Sequence, residues 1–209
     1  MSTIKRLTDS CLLVTTDDGT TLIDPGFHTF QSGVIDLDTI GEVQRVLITH
    51  DHGDHVNADF VKWLLDRGKD IVVYSNESVA VALGEYDVAV DTGVPGGTSV
   101  EDVAHEMTPT GDAPPNRAWT INDIFTHPGD SYSPTKTAPV MGLPLMTPWG
   151  STTLSMDFAR RLAPQYAVPV HDFYLSDMGR KWIYSVAKHV LAESGIEVIT
   201  LDWGESFSV

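Results

Sequence analysis

Short apolar runs recur along the chain, separated by turn-forming residues or by stretches with helical spacing. Cys11 to Thr15 and Thr20 to Ile23, joined by Asp17-Asp18-Gly19, predict a hairpin. Val43 to Thr49 predicts a buried strand, and Asn57 to Gly68 predicts a helix with Asn57 near its N-cap and a glycine at its end. A strand over Ile71 to Tyr74 and a helix over Ser75 to Leu83 follow. The chain then turns rich in Gly, Pro and Thr from Asp91 to Pro115, with one apolar stretch at Val100 to Ala104. Short strands resume at Trp119 to Phe125, and Gly129 to Gly150 is again loop-like apart from Ala138 to Met141. A helix over Ser151 to Leu162, a strand over Tyr166 to Val170, a helix over Met178 to Ser194 and a strand over Glu197 to Leu201 complete the pattern. Neither a repeat nor a linker interrupts it, so a single α/β domain over residues 1–209 is expected.

Composition narrows the function classes. No stretch approaches the roughly 20 apolar residues that span a bilayer, and no signal-peptide pattern opens the chain, so a soluble, cytoplasmic protein is expected. One cysteine, Cys11, rules out an intrachain disulfide and a thiolate metal site, and its place in Ser10-Cys11-Leu12-Leu13-Val14 reads as a buried strand residue. A net charge of −16 repels phosphate backbones. The adjacent cations Arg160-Arg161 and Arg180-Lys181 read as solvated helix faces, and no basic amphipathic helix is apparent. Neither nucleic acid nor membrane is therefore an expected partner; a small-molecule substrate is.

Directly after the Val43 to Thr49 strand comes His50-Asp51-His52-Gly53-Asp54-His55. Ligands bind where strands of an open α/β sheet end. In an extended segment residues i and i+2 share a side, so His50 and His52 can aim at one ion while Asp54 and His55 turn toward a second point. Crowding prevents all four from converging on one tetrahedral ion, so two ions suit the cluster better than one, with further ligands from elsewhere. His105, His127 and His171 each follow a predicted strand and precede a turn-rich stretch, which makes them candidates. His189 lies mid-helix and reads as a surface or packing residue; His28 lies near the Asp24 loop and is a weaker candidate.

His50 to His55 resembles the H-x-H-x-D-H signature of the metallo-β-lactamase superfamily. The other landmarks fall in order: Leu22-Ile23-Asp24-Pro25-Gly26, Ala104-His105-Glu106, His127-Pro128-Gly129-Asp130 and Pro169-Val170-His171-Asp172. The resemblance spans essentially the whole chain and implies a four-layer αββα sandwich with a mono- or dinuclear metal centre, usually zinc. Gly129-Asp130-Ser131 is similar to the G-D-[ST] turn of the L-ascorbate-6-phosphate lactonase-like and N-acyl-phosphatidylethanolamine phospholipase D-like branches. Position by position, the resemblance implies that His50, His52 and His105 hold a first metal. It implies that Asp54, His55 and His171 hold a second, that Asp130 bridges the two, and that Asp24 orients a ligand by accepting its hydrogen bond. His127 resembles the histidine of the T-P-G-H motif of many lactamase-fold hydrolases; His105 is the expected ligand of the two, and His127 a pocket-lining residue.

Two divalent ions about 3.5 to 4 Å apart can share a water and acidify it toward hydroxide at neutral pH. The expected activity is thus metal-dependent hydrolysis of an ester, lactone or phosphodiester of a small molecule, with Asp54 relaying the proton and His127 or Tyr132 stabilising an oxyanion. Zinc is the default ion, and manganese or iron suits the same ligands. A non-catalytic metal-binding or sensor protein is the alternative. A nuclease would need a basic groove, and the flavodiiron relatives resemble H-x-E-x-D, where this chain has His52. The loops from Asp91 to Pro115 and Ser131 to Gly150 are expected to wall the pocket, with Trp119 and Trp149 as apolar surfaces and Arg117 or Lys136 as anion contacts or, more simply, solvated cations.

Overall fold

The computed structural model describes residues 1–68 and 70–209. Alternation along the predicted hairpin sets the architecture. In β2 (Cys11–Thr16), Leu12 and Val14 point to one side of the sheet and Cys11 and Leu13 to the other, and all four are buried. Both faces of this sheet are therefore covered, one by a second sheet and one by helices.

The first sheet has the order β12-β1-β2-β3-β4-β5, from β1 (Thr3–Thr8), β2, β3 (Gly19–Ile23), β4 (Arg45–Leu47), β5 (Val72–Tyr74) and β12 (Ser206–Ser208). The second has the order β11-β10-β9-β8-β7-β6, from β6 (Thr98–Ala104), β7 (Pro115–Ile121), β8 (Phe125–His127), β9 (Val140–Pro144), β10 (Tyr166–Val170) and β11 (Glu197–Val198). Both sheets are mixed: β3, β4 and β5 run parallel, as do β8, β9, β10 and β11, and the remaining pairs are antiparallel.

Three apolar layers hold these elements together. Ile4, Leu12, Val14, Ile23 and Leu47 of the first sheet meet Trp119, Ile121, Phe125, Val140 and Val168 of the second. On the outer face of the first sheet, Leu13, Leu22, Val46 and Val73 meet α2 (Ala58–Arg67) through Phe60 and Leu64 and α3 (Glu77–Gly84) through Val79 and Leu83. On the outer face of the second, Met141, Leu143 and Ala167 meet α4 (Thr152–Leu162) through Met156 and Phe158 and α5 (Asp177–Ala192) through Ile183, Ala187 and Leu191. The result is the expected αββα sandwich, with a short α1 (Phe27–Gln31) after β3.

Helices α2 to α5 start where small polar residues take up their first free amides: Asn57, Asn76, Ser151 and Ser176 each accept from the backbone N–H three residues on. Two strands were absent from the sequence pattern. β1 carries Lys5 and Arg6 in a run that reads as polar, and β12 pairs with it from the far end of the chain. Trp119 is a correction of another kind. Its ring is fully buried between the sheets and its indole donates to the Ile48 carbonyl at 3.0 Å, so it is core and not pocket wall. No helix among the described residues is long and apolar enough to cross a membrane.

Candidate metal centre

Strand direction gathers the candidate residues at one edge of the sandwich. β3 and β4 are parallel neighbours, so Asp24 and the 50–55 loop leave the first sheet at the same end. β8, β9 and β10 are parallel, and β6 regains their direction after two antiparallel steps, so His105, Asp130 and His171 leave the second sheet together. The Trp119 indole and the Arg117 backbone amide, which donates to Thr49 O at 2.9 Å, tie the two exits to each other.

Two groups of ligand-type atoms result, each within 4.8 Å: His50, His52, His105 and Asp130, and Asp54, His55 and His171. Asp130 sits between them. Its Oδ2 lies 3.5 Å from His105 Nε2 and 3.9 Å from His50 Nε2, and also 3.3 Å from His171 Nε2, while Oδ1 lies 3.0 Å from His55 Nε2. Four of these buried atoms, Nε2 of His55, His105 and His171 and Oδ1 of Asp130, have no aligned hydrogen-bond partner among the described residues. Buried polar atoms left this way are costly. Imidazole nitrogens and carboxylate oxygens aimed at common points are the donor set that divalent ions take, so the residues fit such a centre.

On four of the five histidines the other ring nitrogen is fixed from behind. His55 Nδ1 lies 2.7 Å from Asp24 Oδ2, and Asp24 also accepts from the Thr49 amide at 2.8 Å and the Thr49 hydroxyl at 2.9 Å. The Thr49 hydroxyl lies 3.0 Å from His50 Nδ1. His52 Nε2 is paired with Asp112 at 2.9 Å, which leaves Nδ1, 3.2 Å from His50 Nε2, as its inward atom. His105 Nδ1 is held by the Glu106 carbonyl. Sequence reasoning missed Asp112, and it missed that the Trp149 indole donates to Asp130 Oδ2 at 2.6 Å. Nothing in residue order pointed to either pairing, because both arise where long loops fold back.

Backbone geometry serves the same end. Asp24 (φ 50°) and His171 (φ 62°) both lie in the left-handed region, which a residue with a Cβ occupies only when its surroundings hold it there. Gly129 (φ 62°) has no room for a side chain, since a Cβ would meet Asn116 Oδ1 at 2.1 Å; that asparagine also accepts from the Asp130 amide at 3.3 Å.

The electrostatics are those of a charged cluster removed from water. Burial works against an imidazolium at His55, yet the carboxylates of Asp130, Asp24 and Asp54 outweigh it and hold the ring well above its ordinary range. Burial likewise opposes charge on His171, but Asp130 and Asp9 push it up to about 9. Burial would raise Asp130, and His171 and His55 instead draw it well below the usual carboxylate range. Burial and the neighbouring His55 push His50 well down. Solvent reaches the cluster at His52 and Asp54, whose side chains are 22% and 24% exposed.

His127 stands apart. It is fully buried, its Nε2 lies 3.0 Å from the Ser10 carbonyl and so must donate, and its Nδ1 accepts from the Gly129 amide at 3.1 Å. With both nitrogens taken by backbone, it has none to offer an oxyanion or an ion, and the catalytic place expected for it is corrected to a brace under the Gly129 turn. Tyr132 is also structural: its hydroxyl pairs with Ser155 at 3.0 Å and its ring packs on Trp149 and Phe158. Arg117 is engaged by Asp102, Ser75 O and Thr92 O, and Lys136 is exposed. His28 is buried against Phe27 and Phe173, and His189 lies on the exposed face of α5.

The sequence model of the metallo-beta-lactamase superfamily matches residues 5–130, which reach from β1 to Asp130. The chain belongs to this superfamily. Protein Rv0786c of Mycobacterium tuberculosis is 28% identical over 190 residues, covering 84% of this chain and 86% of that protein. Among solved structures, Igni18, a metallo hydrolase from Ignicoccus hospitalis, superposes with a TM-score of 0.73 at 16% identity, over 100% of this chain and 99% of that one. A candidate metal-dependent hydrolase from Parabacteroides distasonis gives 0.72 at 23% identity, over 95% and 92%. The diiron β-hydroxylase CmlA from Streptomyces venezuelae gives 0.66 at 13% identity, over 100% of this chain and 54% of that one. Structural likeness at such identities establishes the shared fold, and the metallo-beta-lactamase sandwich carries both hydrolytic and redox centres.

Proposed function

We propose that this chain is a hydrolase that uses two divalent ions, zinc by default, to cleave an ester, lactone or phosphodiester of a small molecule. The observation that carries this reading is the placement of Asp130 between two ligand-type groups, in which the buried Nε2 atoms of His55, His105 and His171 have no aligned hydrogen-bond partner among the described residues. His50, His52 and His105 would hold one ion, Asp54, His55 and His171 the other, and Asp130 would touch both. When bound, such a pair polarises a carbonyl or phosphoryl oxygen and lowers the pKa of a coordinated water toward neutrality.

The side chains supply the rest. Asp24 and Thr49 keep the His55 and His50 rings turned inward. Trp149 covers the His105 and His171 rings at 6.2 and 5.8 Å between centroids and so excludes water from that side. Asp54, at the open side, would take a proton from the attacking water and pass it to the leaving oxygen. The Gly129-Asp130-Ser131 turn, which resembles that of the ascorbate-6-phosphate lactonase-like and phospholipase D-like branches, makes lactones and phosphodiesters the first substrates to try. The acidic surface supports a small substrate over nucleic acid.

Elemental analysis of protein purified without added metal, for wild type and Asp130→Ala, is the direct test, followed by hydrolysis of lactone, ester and phosphodiester probes before and after chelation. Near two ions in wild type, clearly fewer in the variant, and chelator-sensitive hydrolysis are expected. Absence of metal even after reconstitution overturns the centre; a loaded protein inert toward every probe overturns the hydrolase in favour of a metal-binding or sensor protein.

A further inference from the structure

We propose that the N-terminal hairpin, together with Tyr184, is a positioning device for the second ion group: Arg6, Asp9 and Tyr184 hold the turn that carries His171, and retention of an ion by Asp54, His55 and His171 depends on them. This rests on the two-ion reading above.

His171 adopts a backbone conformation that must be imposed by its neighbours, and the two residues after it are both fastened. The buried Asp172 carboxylate accepts from the Arg6 guanidinium and from the Tyr184 hydroxyl. Arg6 Nη1 reaches on to Tyr184 Oη at 2.6 Å and to the Leu201 carbonyl at 2.9 Å, and its guanidinium lies 4.3 Å over the Trp203 ring. The Phe173 amide donates to Asp9 Oδ1 at 3.2 Å, and the His28 ring stacks on Phe173 at 4.1 Å. Arg6 is itself pinned by backbone: its amide donates to Glu205 O at 2.9 Å and its carbonyl accepts from Gly204 at 2.8 Å. The ligand-bearing turn is thus gripped from β1, from the β1–β2 turn and from α5.

None of Arg6, Asp9, Asp172 or Tyr184 belongs to either ligand group. A buried ion pair is costly to desolvate and is poor evidence of a net gain in stability. What a planar guanidinium fork supplies is fixed orientation of a carboxylate, and here that carboxylate adjoins the one ligand contributed by the β10 exit. The histidines of the first group come from β4 and β6 and share none of these contacts, so loosening the grip should be felt by one ion and not the other.

The test compares wild type, Tyr184→Phe, and the charge-balanced pair Arg6→Met with Asp172→Leu. Stepwise zinc affinities are read by competition with a chromophoric chelator, metal content by elemental analysis, and folding by circular dichroism and thermal melting. The paired variant is expected to keep one ion at wild-type affinity and to bind the other about 10- to 100-fold more weakly. Tyr184→Phe should show the same selectivity at about three- to tenfold, and it decides the matter alone if the paired variant does not fold. A folded variant that binds both ions as wild type does, or that weakens both equally, overturns the proposal while leaving the two-ion reading intact. A wild-type protein that takes up fewer than two ions overturns that reading and this inference with it.

Discussion

On the two-ion reading proposed above, replacing Asp24 by asparagine should cost the protein one ion more than the other, and the hydrogen bonds say which. The Asp24 carboxylate can only accept, so His55 keeps a proton on Nδ1, and the Thr49 hydroxyl gives its proton to Asp24 and accepts from His50 Nδ1. Both rings are thereby left with Nε2 facing the ion groups. Asparagine has the same shape and tolerates the left-handed backbone at this position, so the turn should survive. Its amide, however, turns a donor toward either His55 or Thr49. Where that donor faces His55, the ring must move its proton to Nε2, the atom that would bind the ion; where it faces the Thr49 amide, the ligand loop loses the acceptor that holds its root. Losing a charge-assisted hydrogen bond in a buried site costs about 1.5–3 kcal/mol, a weakening of the second ion by about 10- to 100-fold. The first ion feels Asp24 only through the Thr49 hydroxyl, a neutral relay worth about 0.5–1.5 kcal/mol, so its affinity should fall by less than about tenfold. Competition titration of the metal-free protein against a chelator resolves the two steps. Equal loss at both steps, or no loss at either in a folded Asp24→Asn protein, would refute the tautomer argument.

Other consequences are simpler. Because His171 is raised from 6.5 to about 9 by Asp130 and Asp9 against the effect of burial, the stability this pairing gives the metal-free protein is complete below about pH 6.5 and is lost as pH rises through 9. Thermal melts of stripped protein should therefore fall between pH 6 and 9, and zinc uptake near pH 7.5 should release protons, seen as a dependence of the calorimetric heat on buffer ionisation. A flat melting profile over that range would contradict the ion pair. Trp149→Phe removes the 2.6 Å hydrogen bond to Asp130 and should weaken metal binding by about tenfold or more with little change in the melt of stripped protein. Gly26→Ala places a Cβ 1.7 Å from the Asp54 carbonyl oxygen, so backbone must move; a loss of about 1–3 kcal/mol in denaturant unfolding is expected, together with weaker binding of the second ion.

Local pattern carried much of this protein. The β2–β3 hairpin, the N-cap at Asn57, the helix ending before Ala163 and the β10 strand are written in near-neighbour spacing, because alternation and capping depend on residues a few positions apart. The 50–55 loop was legible for the same reason, since six consecutive residues at a strand end hold most of the candidate ligands. Where the reading failed, the deciding contact lay far along the chain. Arg6 made β1 look polar until Asp172, 166 residues away, neutralised it in the interior. His127 and Asp130 are near neighbours in sequence, yet the backbone of Ser10 and Gly129 took the histidine's nitrogens and left the carboxylate facing two groups of imidazoles. Sequence by itself determined the alternation of strands and helices and the identity of the ligand-rich loop, whose resemblance to a known family implied the αββα layering. Only the tertiary structure decided which polar side chains face that loop and which are used up bracing it, because a buried donor or acceptor goes to whichever partner the packed sheets bring within reach.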